Sequence, residues 1–290
     1  MTIFKTIGLI AKYGDERVKN TLEALITYLG SRQLSMLIDI ASTPVLPDHG
    51  LTAADMATLG EECDLIIVIG GDGTMLQAAR NLASYRVKML GINLGRLGFL
   101  TDISPNEMTE QLELIMDGDF QEEKRSLLYS EVYRDGERLC QVEALNDVVI
   151  HKYHMAHMFA FETRIDGQLV NKQRADGLIV STPTGSTAYA LSGGGPIIHP
   201  SLDAILLVTV CPHTLTNRPV VVRGDSRIVL HLTEDQNIEA QLTCDGQLRQ
   251  TLQPDDQVHI RKDNYITLVH PSDHEYYETL RTKLNWGNVW

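Results

Sequence analysis

The stretch that most restricts what this chain can become is Leu65-Ile66-Ile67-Val68-Ile69, which has no polar side chain. It runs straight into Gly70-Gly71-Asp72-Gly73-Thr74 and then into Met75–Ser84, which reads as a helix. A strand without a polar face needs cover on both sides, and strands joined through helices pair in parallel. The neighbouring sequence repeats the theme. Ile3–Ala11, Leu34–Ile40 and Val87–Ile92 have the length and composition of strands, and Glu16–Gly30 spaces Val18, Leu22, Leu25, Ile26 and Leu29 at helical intervals. Leu51–Glu62 and Asn106–Met116 read as further helices, the second opened by Ser104-Pro105 and stopped by Asp117-Gly118. An α/β layer around a parallel sheet is expected.

From about Lys124 the texture changes. Short alternating segments at Tyr129–Arg134, Arg138–Glu143, Asp147–His151, Ala160–Ile165, Leu178–Ser181, Arg227–Thr233, Glu239–Cys244 and Gln257–Arg261 are separated by turns. Asp-Gly pairs at 135–136, 166–167 and 245–246 are strong hairpin signals, so this half is expected to be mainly antiparallel β. Asp273–Leu284 has helix-compatible composition. The expected division is an α/β domain over 1–122, a β domain over 123–272, and a C-terminal helix over 273–290 that packs back on the first. A ligand between the two domains is the default expectation.

Composition excludes several classes. With 290 residues, 43% of them apolar, the chain can build a real core. Lys+Arg number 25 and Asp+Glu 38, a net charge of −13, which argues against wrapping nucleic acid or coating an anionic membrane. No apolar run approaches the roughly 18 to 20 residues that span a bilayer. The N-terminus does not read as a signal peptide. Cys63, Cys140, Cys211 and Cys244 lie far apart without a C-x-x-C pair, as in a reduced cytoplasmic chain.

Chemistry is expected first at Gly70–Thr74. Glycine amides and a helix N-terminus suit an anionic group, while Asp72, at the carboxyl end of a parallel strand, suits accepting a proton or holding a metal that bridges phosphates. The plainer alternative is that Asp72 only caps its helix. Neither the dinucleotide fingerprint G-x-G-x-x-G nor the P-loop G-x-x-x-x-G-K-[ST] is present. A second candidate is Ser181-Thr182-Pro183-Thr184-Gly185-Ser186-Thr187, whose hydroxyls offer a neutral site for phosphate or ribose oxygens. Gly193–Gly195 beyond it allows a backbone or a flat ring to come close; the alternative is a polar loop with a hinge. Asn146-Asp147 places an amide and a carboxylate at a strand start, where an ordinary turn is the alternative. Gly91–Thr101 sets glycines beside Asn93 and Arg96 after the next parallel strand, so that two loops can line one crevice. His151-x-x-His154-x-x-His157 invites a zinc reading, but no Cys or carboxylate completes a set nearby, and the histidines read as exposed or ligand-facing.

Together GGDGT at Gly70–Thr74, GINLGRLGFLT at Gly91–Thr101, Asn146-Asp147 and the block from Asp176 to Ile197 resemble the NAD kinase family in order and spacing. The resemblance implies a Rossmann-like N-terminal domain followed by a β-sandwich, and transfer of the γ-phosphoryl of ATP to the 2′-hydroxyl of the adenosine ribose of NAD. It implies a divalent ion, Mg²⁺ first, and a homo-oligomer, dimer or tetramer. On this resemblance Asp72 is the proton acceptor, with Gly71 and Gly73 shaping its turn. Asn146 and Asp147 hold ribose hydroxyls, and Asp176 meets the nicotinamide side. Thr187, Ala188, Tyr189 and Ser192 surround the nucleotide, and His157, Arg174 and Gln247 match ligand contacts that include a neighbouring subunit's site. Many bacterial members have Asn-Glu where this chain has Asn146-Asp147. A lipid or sugar kinase sharing the GGDG turn and a non-catalytic NADP(H)-binding regulator are the competing readings. A ribose hydroxyl is too weak an acid for a carboxylate to ionise beforehand, but phosphoryl transfer lets the proton leave late.

Overall fold

The computed structural model describes residues 3–95, 98–152, 158–233 and 240–286. In chain order the elements are β1 (Thr6–Ala11), α1 (Glu16–Ser31), β2 (Ser35–Asp39), β3 (Thr52–Ala54), α2 (Met56–Glu62), β4 (Leu65–Gly70), α3 (Asp72–Leu82), β5 (Lys88–Asn93) and α4 (Met108–Met116). There follow β6 (Phe120–Arg134), β7 (Glu137–Ala144), β8 (Asp147–Lys152), β9 (Phe159–Ile165), β10 (Gln168–Ala175), β11 (Gly177–Ser181) and α5 (Tyr189–Ser192). The last are β12 (Ala204–Val210), β13 (Val220–Arg223), β14 (Ile228–Leu232), β15 (Ala240–Cys244), β16 (Leu248–Leu252), β17 (Gln257–Pro271) and α6 (Tyr276–Leu284). Two compact units result, one formed by 1–124 with 266–290 and the other by 125–265.

In the first unit the strand order is β5-β4-β1-β2-β3, with the end of β17 beside β5, and every pairing is parallel. β4 is buried at all six positions, as its composition requires. Leu65, Ile67 and Ile69 face a core shared with Val18, Leu22, Leu25 and Leu29 of α1 and with Leu112, Ile115 and Met116 of α4. Asp15 caps α1 by accepting from the Arg17 amide. One sequence expectation fails here: Leu51–Glu62 is not a single helix, because Thr52–Ala54 adds a parallel edge strand before Asp55 caps α2. α3 also begins earlier than Met75, at Asp72 itself.

The second unit is a β-sandwich. One sheet runs β13-β12-β11-β8-β15-β16, antiparallel throughout; the other contains β10-β9-β14 and the first half of β17, beside the β6–β7 hairpin. Alternate residues of both sheets meet in one core, including Val148, Ile150, Phe161, Leu178, Val180, Leu230, Leu242 and Ile260. The Asp-Gly turns behave as read: Asp135, Asp166 and Asp245 have φ near +50°, each followed by a glycine at positive φ. β10, β12, β13 and β16 lie outside the alternating segments expected from sequence. Exposed Leu169-Val170 and Val220-Val221 break the inward–outward alternation in β10 and β13.

Candidate active site

In the first unit Asp72 is the first residue of α3, and its carboxylate does not cap its own helix. Oδ2 accepts from the Phe99 amide at 3.0 Å, and Oδ1 accepts from the Leu100 amide at 3.1 Å and the Thr101 hydroxyl at 3.2 Å. Capping falls to Gly71, which has no side chain to contribute. Two oxygens offer about four acceptor directions, so three donors leave room for about one more hydrogen bond. The segment that grips Asp72 is itself fastened. Asn93 Nδ2 donates to the Thr101 carbonyl and hydroxyl at 3.3 and 3.2 Å, and a Cβ on Gly91 would stand 2.7 Å from the Leu100 carbonyl oxygen. Gly98 has no room for a side chain because Asp72 Oδ1 occupies that space. The crevice reading of the Gly91–Thr101 motif thus becomes a clamp on Asp72. Arg96 lies outside the described residues.

The three glycines of the turn do different work. A Cβ on Gly70 would come within 2.8 Å of the Thr74 Cβ, so this glycine lets strand and helix pack. Among the described residues a Cβ on Gly71 or Gly73 would meet nothing within 4 Å, and neither residue has positive φ. The resemblance assigns both to shaping the turn, yet neither backbone requires a glycine. What they leave is open space over a helix N-terminus.

In the second unit Asn146, Asp147, Asp176, Ala188 and Tyr189 line one cavity of about 720 Å³. The floor is the middle of the six-stranded sheet, through Val149, His151 and Thr243, and Lys152 pairs with Asp176 at 2.7 Å on its wall. Asp147 is 5% exposed; burial first, and the nearby Asp245 carboxylate second, push its carboxyl up to about 7. Thr187 and Ser192 belong to the turn and short helix carrying Ala188 and Tyr189, Arg174 lies on β10 and Gln247 in the β15–β16 turn, but these four do not line the cavity. His157 lies outside the described residues.

Asp245 is the residue that sequence reading undervalued. Read only as half of a hairpin turn, its carboxylate accepts from the amides of Leu145, Asn146 and Asp147 at 3.1, 2.8 and 3.2 Å and so holds the start of β8 in place. No local signal marks this role, because the amides it meets lie about a hundred positions back along the chain. From the other side the Ser181–Thr187 block supports the same pair. Thr182 Oγ1 donates to the Leu145 carbonyl at 2.6 Å, Ser181 Oγ to the Asn146 carbonyl at 3.2 Å, and a Cβ on Gly185 would collide with the Asn146 carbonyl. Ser186 Oγ donates to the Pro183 carbonyl and accepts from the Ile198 amide. Ser181, Thr182, Thr184 and Ser186 are buried, so the expected hydroxyl cradle is largely internal scaffolding. Gly193 and Gly195 serve close packing too, each with a would-be Cβ within 3 Å of Val208.

The first unit thus holds a carboxylate clamped at a helix N-terminus, and the second a cavity of nucleoside size on a β-sandwich. Comparison with known proteins makes this specific. The profile described as ATP-NAD kinase N-terminal domain matches residues 7–120, and that described as ATP-NAD kinase C-terminal domain matches 145–270. The chain is 49% identical over 289 residues to the NAD kinase of Chromohalobacter salexigens, covering 99% of each. Among solved structures, yeast NADH kinase complexed with NADH superposes with a TM-score of 0.90 at 23% identity, over 99% of this chain and 89% of that one. An NAD kinase from Archaeoglobus fulgidus in complex with ATP gives 0.73 at 25% identity, over 97% and 98%. The chain belongs to the ATP-NAD kinase family.

Proposed function

We propose that this chain makes NADP by transferring the γ-phosphoryl of ATP to the 2′-hydroxyl of the adenosine ribose of NAD, with Asp72 as proton acceptor. The observation that carries the reading is the Asp72 carboxylate, fixed by three donors from 99–101 beside the open space over Gly71 and Gly73. The ribose oxygen attacks the γ-phosphorus, the bond to the bridging oxygen breaks, and ADP leaves with that electron pair. In a loose transition state the hydroxyl proton leaves late, so Asp72 orients the hydroxyl and takes the proton as the new bond forms. The amide end of α3 favours the phosphate charge nearby. A divalent ion, Mg²⁺ first, would enter with ATP and offset phosphate charge, and no residue of the chain is assigned to it.

On the same reading Asn146 and Asp147 hold ribose hydroxyls, Asp176 meets the nicotinamide side and Tyr189 lies against a ring. Ala188, Thr187 and Ser192 border the nucleotide, and Arg174, Gln247 and His157 make further contacts. The chain is also proposed to work in the cytoplasm as a homo-oligomer. In support of self-association, Leu169, Val170, Val220 and Val221 are 40–50% exposed on sheet-edge strands; among the described residues no helix is long and apolar enough to cross a membrane. Incubating the pure protein with ATP, Mg²⁺ and NAD, then coupling to an NADP-specific dehydrogenase, is expected to give NADP in proportion to enzyme. No NADP would overturn the proposal, and light scattering reads the mass in solution.

A further inference from the structure

We infer that the first unit carries a divalent-cation site of the zinc type, built by Asp102, His270 and His274, which the kinase chemistry does not use. The three residues come from separate places in the chain: Asp102 follows the 99–101 clamp, His270 lies near the end of β17, and His274 sits in the turn before α6. Asp102 Oδ2 lies 2.7 Å from His270 Nδ1 and 3.0 Å from His274 Nδ1, and three ligand atoms, one from each residue, lie within 4.8 Å of one another. The two imidazoles stack with centroids 4.3 Å apart and an interplanar angle of 16°, so two near-parallel rings bring the same nitrogen to one carboxylate oxygen.

His270 also lies near a second carboxylate, its Nε2 3.3 Å from Glu123 Oε2. With a cation among the three residues, both Nδ1 atoms act as lone-pair ligands, and Glu123 is the outer carboxylate placed to fix the tautomer of a metal-bound histidine.

A second, independent observation points into the same place. The Asp102 side chain is only 7% exposed, and its Oδ1 has no hydrogen-bond partner. Gln111 Oε1 is another buried acceptor without one, and both residues line a cavity of about 250 Å³ together with His274. The cavity is also lined by Glu107, Asp273, Glu275 and Glu278 but by no Lys or Arg among the described residues, so its charge favours a cation. Two imidazole nitrogens and one carboxylate, with a fourth position open to the cavity for water, form a set that zinc accepts and that Mg²⁺ or Ca²⁺, which prefer oxygen, do not. Metal–ligand bonds near 2.0–2.2 Å put ligand atoms about 3.3 Å apart, so each imidazole needs to part from the Asp102 oxygen, now at 2.7 and 3.0 Å, by only a few tenths of an ångström.

The test uses the full chain, stripped of metal and without nucleotide, titrated with Co²⁺ and then with Zn²⁺. The expected result is one equivalent of Co²⁺ with the visible absorption of a low-coordinate site, displaced by Zn²⁺, and a melting temperature that rises with Zn²⁺. His274→Ala is expected to weaken Zn²⁺ binding by more than the roughly tenfold expected of Glu123→Gln, and to abolish the melting shift. His274→Cys is expected to keep binding and to add a thiolate-to-cobalt charge-transfer band, which assigns the metal to this position. Absence of a low-coordinate Co²⁺ spectrum in the parent chain overturns the inference. So does Zn²⁺ affinity unchanged in His274→Ala, or a Co²⁺ complex of His274→Cys without the charge-transfer band.

Discussion

Two glycine- and hydroxyl-rich turns, each following a fully buried strand, look alike on paper and behave differently in the fold. After β4, Gly71 and Gly73 leave space that no described residue fills within 4 Å, and the one charged side chain is held by a distant loop. After β11, nearly every small residue is spent inside the protein: Thr182, Ser181 and Gly185 press against Leu145 and Asn146, and Ser186 ties the turn to Ile198. On the proposed reading the first turn meets a ligand and the second holds the residues that do. Whether a missing side chain would have collided with protein or with nothing separates the two, and that is a tertiary fact.

The comparison breaks most sharply at Asp72. Asp72→Asn is expected to lower kcat by about a thousandfold, as for loss of a proton acceptor, with NAD affinity within a few-fold of the parent. Both Asp72 oxygens face N–H donors, so an amide in either orientation meets one. A fall in melting temperature is therefore expected alongside, and an active variant would remove Asp72 from the reaction. Next come the glycines. Gly70→Ala is expected to cost about 1–3 kcal/mol of stability by overpacking against Thr74, whereas Gly73→Ala, with open space around it, should melt no lower than the parent. If Gly73 faces bound phosphate, the same methyl should still lower kcat/KM tenfold or more; unchanged kinetics would show that the space is not used.

On the sandwich side, Asp245→Ala strips the acceptor from three amides. The KM for NAD is expected to rise about tenfold, equivalent to roughly 1.4 kcal/mol, with kcat much less affected. The smallest effect is in pH. Because the folded Asp147 carboxyl is raised from 3.8 to about 7, the stability it contributes is complete below pH 3.8 and is lost as pH rises through 7. The ionised form accepts hydroxyl hydrogen bonds, so NAD binding should tighten a few-fold between pH 6 and 8, and Asp147→Asn should flatten both trends.

Much of this was legible in the residues. The uninterrupted apolar run of β4 announced a sheet covered on both faces, and the Asp-Gly turns announced the antiparallel half. Asp72, Asn146 and Asp147 stood out by chemical type and position. Edge strands β10 and β13 escaped because exposed Val and Leu hide the alternation that a half-buried strand shows. β3 escaped because three residues hold too little periodicity to read. The block from Ser181 to Thr187 is legible as special, but that Ser181, Thr182 and Ser186 bond inside the protein is not, since a hydroxyl's sequence position does not tell whether it faces a ligand or the carbonyl of another strand.

The sequence by itself determined the two architectures, parallel and wound in one unit and antiparallel in the other, because hydrophobic period and turn chemistry act over a few residues at a time. It also determined the family, through motifs spread over both halves. Only the tertiary structure decided what grips each functional group. The clamp on Asp72 comes from residues 27 to 29 positions away, and the support of Asn146 and Asp147 comes from an aspartate about a hundred positions on. The convergence of Asp102 and His270 spans 168 positions. Hydrogen bonds and cation sites need atoms within about 3 Å of one another, and separations along a chain carry no such distance until the sheets have closed.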